Sequence, residues 1–225
     1  RSGSEPVIEN EYFRIRAEPG GTLDMTDKRT GARYAGLNRF LDGGDCGDSY
    51  NFCPPAEDRI AGARRQAVRA QRGPVRQSLE IDLELNLPVG LTKDRKRRSP
   101  RRVSVPVTTR VTIFSGVERV EIHTTVENHA QDHRLRVHFP FPADDPHGKS
   151  GEPAIARYDG HFEILERPSV APDDDSNWVE RWRPEVPQRS FTDLSSSRRG
   201  LMIANRGLPE VEVIRGREIA LTLLR

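Results

Sequence analysis

Polar and apolar residues alternate along much of this chain. Ile81, Leu83, Leu85 and Leu87 alternate with Glu80, Asp82, Glu84 and Asn86. The same period of two returns from Arg102 to Ile113, from Val120 to Glu127 and from Arg134 to Phe139. Strict alternation gives a strand one buried and one wet face. With a turn at Ser115-Gly116, these segments predict a four-strand antiparallel meander from about Val75 to Phe139. Pro106 falls on the polar register, which predicts a bulge or an edge there. A hairpin is predicted earlier: Tyr12 to Arg16, a Pro19-Gly20-Gly21 turn, then Thr22 to Met25. Short strands are predicted around Phe162–Leu165, Leu201–Ala204, Val211–Val213 and Ile219–Leu224. No segment carries a convincing amphipathic helix. Residues Glu57 to Ala70 have helix-forming composition but poor apolar spacing. Leu41 to Arg59 and Pro140 to Arg157 read as long loops. Many strands, Gly/Pro turns and no helices point to an all-β sandwich.

Composition narrows this picture. The 225 residues are 34% hydrophobic and 31% charged, enough to bury a real core. Thirty-six basic residues meet 34 acidic ones, for a net charge of +2. A general nucleic-acid binder would carry a basic surplus, so no nucleic-acid partner is expected. No run approaches the ~20 apolar residues of a membrane helix, so no membrane partner is expected either. Two cysteines, Cys46 and Cys53, do not make a disulfide framework. A single bridge between them is one reading, and two reduced thiols of a cytoplasmic protein is the better one. The start has no hydrophobic signal region, and the chain ends inside a predicted strand. Both features suggest a piece of a longer protein.

The most unusual segment runs from Leu41 to Pro55. Asp42, Asp45 and Asp48 recur every third residue among glycines, and Tyr50 follows. The spacing fails the alternate-position template of a calcium loop. Two readings stand open. Tyr50 and a nearby carboxylate such as Asp48 can bind a sugar, the ring covering a C–H face and the carboxylate accepting hydroxyl hydrogen bonds. Alternatively, the aspartates cap backbone N–H groups in an ordered turn. His129, His133 and His138 invite a zinc reading, but His133 and His138 fall on opposite strand faces, and surface or turn histidines account for them better. The basic run Lys93–Arg102 reads as a solvated hairpin loop. Trp178 and Trp182 read as packing. No nucleophile elbow, Walker loop, dinucleotide fingerprint or HExxH motif is present.

Several segments, in order along the chain, resemble glycoside hydrolase family 38, the α-mannosidases. They are Ile8-Glu9-Asn10-Glu11-Tyr12-Phe13, Gly21-Thr22-Leu23, Asp27-Lys28-Arg29-Thr30-Gly31, and Leu37-Asn38-Arg39-Phe40 running into Tyr50-Asn51-Phe52. Further on come Asp132 to Val137, Phe162 to Pro168, Gly207 to Val213 and Ala220 to Arg225. The closest likeness is to the bacterial branch, which includes enzymes acting on mannosylglycerate-type compounds. The resemblance implies a single domain over residues 1–225, a large β-sandwich of the galactose-mutarotase-like kind, following a catalytic barrel. It implies a parent enzyme that hydrolyses α-mannosides with retention, its zinc and nucleophile lying in the barrel. This piece would then hold no cofactor and catalyse nothing alone. Its partners would be the barrel and the mannoside. The resemblance assigns Tyr50 and Arg167 to a wall of the sugar site. An autonomous carbohydrate-binding module and a purely structural domain are the rival readings.

Overall fold

A computed structural model describes residues 6–142, 154–168, 170, 172–179 and 182–225. No helix occurs among them. The chain divides into two compact units, Arg1–Leu135 with Leu224–Arg225, and Arg136–Leu223.

The first unit begins with β1 (Val7–Glu9), β2 (Phe13–Ala17), β3 (Leu23–Asp27) and β4 (Arg33–Leu37), an antiparallel sheet in chain order. Alternation is clean in β2, where Phe13, Ile15 and Ala17 are buried and Arg14 and Arg16 exposed. The β2–β3 turn closes at Gly21, with φ +86°. A side chain there would also strike Leu83, 2.2 Å from the ideal Cβ position. Only glycine meets both demands.

Strands β5 (Arg39–Gly44) and β6 (Ala61–Gly62) pair with each other. Then come β7 (Arg64–Arg72), β8 (Arg76–Pro88), β9 (Arg102–Phe114) and β10 (Glu121–Val126). They form a second sheet in the order β10-β9-β8-β7. The register of β8 and β9 runs unbroken from Arg76↔Phe114 to Pro88↔Arg102. It buries Leu79, Ile81, Leu83, Leu85 and Leu87 against Val105, Val107, Val111 and Ile113. Burial of each such side chain contributes roughly 1.5–3 kcal/mol, so this pair anchors the unit.

Two features depart from the sequence reading. The meander's fourth strand is β7, not the segment ending at Phe139. That segment is β11 (His133–Pro140), which lies outside this sheet and runs across the division between the units. The β7 alternation is masked by a bulge between Arg65 and Ala67, which shifts the apolar phase by one residue. Pro106 causes no irregularity with β8, where it pairs with Glu84. It sits just past the last β9–β10 pair, Val126↔Val107.

In the second unit, β12 (Ile155–Asp159), β13 (Ile164–Arg167), β15 (Phe191–Ser195) and β16 (Gly200–Ala204) form a sheet ordered β13-β12-β15-β16. Strand β14 (Glu185–Pro187) pairs with β17 (Glu210–Ile214), which pairs with β18 (Glu218–Leu224). The core gathers Tyr158, Leu194, Val211, Val213, Ile219 and Leu221. All pairings between these strands are antiparallel, as the sequence predicts. Most of the predicted Pro140–Arg157 loop lies outside the described residues. Its end, from Ile155, is already β12.

Candidate functional site

The Asp/Gly segment splits into a strand and a loop. The expected loop from Leu41 starts late, because Leu41 to Gly44 continue β5. Asp42 points inward from that strand and is 0% exposed. A buried carboxylate needs partners. It has two: the Arg98 guanidinium and Nδ1 of His133. Nε2 of His133 meets Asn128 Oδ1 at 3.1 Å, and that oxygen also accepts the Ala130 N–H. Asp58 lies 4.0 Å from Arg98 and accepts the Gly44 N–H at 2.9 Å.

These contacts correct two expectations. His133 and His138 are not surface histidines; each is 2% exposed. His138 pairs with Glu218 at 2.9 Å within the second unit. Of these three histidines only His129 is exposed, against the Ser104 carbonyl. The basic run is not wholly solvated either. Arg98 is buried, Arg95 reaches Asp132, and the Lys96 carbonyl accepts the Glu57 N–H. The tip of the β8–β9 hairpin therefore braces the base of the Asp/Gly loop.

Beyond β5 the chain forms a narrow loop whose backbone is held at several points. The Asp45 N–H donates to the Asp132 carbonyl at 2.9 Å. Asp45 Oδ1 accepts the N–H groups of Gly47 and Cys53, at 2.9 and 3.0 Å. The Cys46 N–H donates to the Cys53 carbonyl at 2.7 Å, and that of Asp48 to Asn51 at 3.2 Å. Asp48 Oδ1 accepts the N–H groups of Tyr50 and Asn51, at 2.9 and 2.8 Å. These two amides hold the Asp48 carboxyl below the usual carboxylate range. The capping role of Asp45 and Asp48 is the backbone reading of the sequence. Gly47 is required sterically, since a Cβ there would lie 1.8 Å from the Asn51 carbonyl oxygen.

Arg225 closes the loop from the far end of the sequence. Its Nε donates to Asp45 Oδ2 at 2.9 Å, and its Nη2 to the Asp48 carbonyl at 2.8 Å. Phe52 lies beneath the Arg134 guanidinium, 3.3 Å from the ring centroid, a cation–π contact. At the tip of this tethered loop Tyr50 is 89% exposed. A rigid loop thus presents an aromatic ring and a phenolic hydroxyl to solvent.

Tyr50 and Asp48 share this loop. Arg167 belongs to the second unit, at the end of β13. Its register with Ala156 puts it on the face of the buried Ala156 and Tyr158. Burial pushes the Tyr158 hydroxyl up to about 12, against the opposing charge of Arg167. Asp42, Arg98 and Arg225 were not assigned to the site by sequence. Asp42 falls in phase with the buried Phe40, but the glycines after it hide the strand. Arg225 carried none, being 180 residues from its partner. Among the described residues, no group of three or more His, Cys, Asp or Glu is placed to hold a metal ion.

The chain resembles known proteins along its length. The sequence profile described as "Glycosyl hydrolases family 38 C-terminal domain" matches residues 8–225. The chain belongs to that family. It is 28% identical to a putative mannosylglycerate hydrolase of Halalkalibacterium halodurans over 236 aligned positions, covering 97% of this chain and 25% of that protein. The crystal structure of an alpha-mannosidase from Enterococcus faecalis V583 superposes with TM-score 0.85 at 27% identity. It covers all of this chain, which spans 27% of the other. A second family 38 structure from Enterococcus faecalis gives TM-score 0.82 at 26% identity, with 28% of that chain covered. The chain spans about a quarter of the length of these relatives. It is a C-terminal domain of the kind found in α-mannosidase-type enzymes.

Proposed function

We propose that this chain is the non-catalytic β domain of a retaining α-mannosidase-type hydrolase, and that it lends the Tyr50 loop to the sugar site. The observation that carries the reading is Tyr50 itself, 89% exposed on a loop fixed by Asp45, Asp48 and Arg225. A held aromatic can cover the apolar face of a sugar, and its hydroxyl can bond a sugar hydroxyl. Asp48 positions Tyr50 through its amide while its carboxylate stays at the surface. The family resemblance also assigns Arg167, whose guanidinium offers forked donors.

One family model spans residues 8–225, which supports one domain over residues 1–225; we read that domain as a β-sandwich of the galactose-mutarotase-like kind. The partner is the catalytic barrel that the longer relatives have room for. Zinc and nucleophile belong to that barrel, and the substrate class is an α-mannoside of the mannosylglycerate type. The protein is cytoplasmic in this account.

In the full-length enzyme, Tyr50→Phe is expected to lower kcat/KM on an α-mannoside by about 1–3 kcal/mol, the range for one lost hydrogen bond to substrate. Steady-state kinetics check it. Unchanged kcat/KM would remove Tyr50 from the site.

A further inference from the structure

Cys46 and Cys53 face each other across the base of the Tyr50 loop. Both are free thiols, Cys53 exposed and Cys46 half-buried. The Cys46 N–H bonds the Cys53 carbonyl at 2.7 Å. It is a single bond, since the Cys53 N–H goes to Asp45 Oδ1, and it holds the two residues as neighbours across the loop. Disulfides bridge Cα separations of ~4.4–6.8 Å. The side chains meet as well. Burial first, and then the adjoining Cys53 thiol, push the Cys46 thiol up from its ordinary value. The approach is set by the fold, because Asp45 ties the Cys53 amide and Arg225 ties Asp45.

The geometry points to a modification site: Cys46 and Cys53 form a reversible disulfide that staples the Tyr50 loop, with a low-molecular-weight disulfide as oxidant. The exposed Cys53 reacts first. Its thiolate attacks one sulfur of oxidised glutathione, whose S–S bond breaks, and one glutathione leaves as thiolate and takes up a proton. Cys46 then loses its proton to water, and its sulfur attacks the Cys53 sulfur of the mixed disulfide. The protein S–S bond forms and the second glutathione leaves. The protein gives up two electrons and two protons, and the oxidant becomes two thiols. The closed ring, residues 46–53, carries Tyr50 at its tip and resists opening.

The test is direct, because the tryptic peptide Phe40–Arg59 holds both cysteines and no internal Lys or Arg. Full-length protein is incubated with oxidised glutathione, remaining thiols are alkylated, and the digest is weighed. The peptide is expected to lose two hydrogens, take up no alkyl group and recover with dithiothreitol. Amide exchange across residues 47–52 should slow on oxidation. In Cys46→Ser the reaction should stop at a Cys53–glutathione adduct. Two alkylated thiols throughout, or a lasting glutathione adduct in the wild-type peptide, would overturn the proposal. The readout is a mass, so it stands apart from any effect on mannoside turnover.

Discussion

Replacing Asp42 with alanine is expected to destabilise the protein by about 3–5 kcal/mol, the range for removing one partner of a buried ion pair. The reason is what stays behind. Arg98 is 6% exposed and keeps its charge at any working pH. Without Asp42 its remaining acid is Asp58, at 4.0 Å. His133 loses the carboxylate at Nδ1. These groups join β5, the β8–β9 hairpin tip and the start of β11 within one unit, so the loss should appear as global unfolding. Urea denaturation of wild type and variant checks it. Asp42→Asn keeps an acceptor and the shape, and should lose less. A loss below about 1 kcal/mol for the alanine variant would mean that water or Asp58 replaces the carboxylate, and that the buried pair does not hold these elements together.

Gly47→Ala is expected to act on the loop more than on the fold. The added methyl meets the Asn51 carbonyl oxygen at 1.8 Å and Asp45 Oδ1 at 2.9 Å. Neither can yield without opening the loop, since Asn51 accepts the Asp48 N–H and Asp45 holds the Gly47 and Cys53 amides. Forced overpacking of this kind costs roughly 1–3 kcal/mol. Amide protection across residues 46–53 should fall, and in the full-length enzyme kcat/KM should drop at least as far as for Tyr50→Phe. Gly20→Ala is the matched control, because a Cβ there has nothing within 4 Å. Equal loop protection in both variants would show that the close approach at Gly47 is relieved cheaply.

Much of the fold was legible because one-face burial writes itself as alternation. Strands β8 and β9 declare themselves through Leu79 to Leu87 and Val105 to Ile113. Strand β7 does not, because its bulge breaks the period and only Val68 among its half-buried residues Arg65, Ala67, Val68 and Ala70 is large and apolar. Most of strand β5 reads as loop in the sequence because Asp42 and two glycines look like turn residues. They sit in a strand because Arg98 and His133, distant in sequence, neutralise and bury the acid. The site divides the same way. Local hydrogen bonds of Asp45 and Asp48 follow from Asx-turn chemistry and were among the sequence readings. The Arg225 tether and the Asp42 cluster join residues 56 to 180 positions apart, beyond what any local pattern encodes. Tyr50 came from a resemblance and an unusual loop; its exposure is a property of the fold.

In the intact enzyme Tyr50 should touch the bound sugar. The most direct measurement is a crystal structure of the full-length protein with a non-hydrolysed α-mannoside bound. The account predicts the Tyr50 hydroxyl within about 3 Å of a sugar hydroxyl, with the Asp45, Asp48 and Arg225 contacts intact. A bound mannoside with Tyr50 pointing into solvent would contradict it, and would leave this domain a support for the barrel alone.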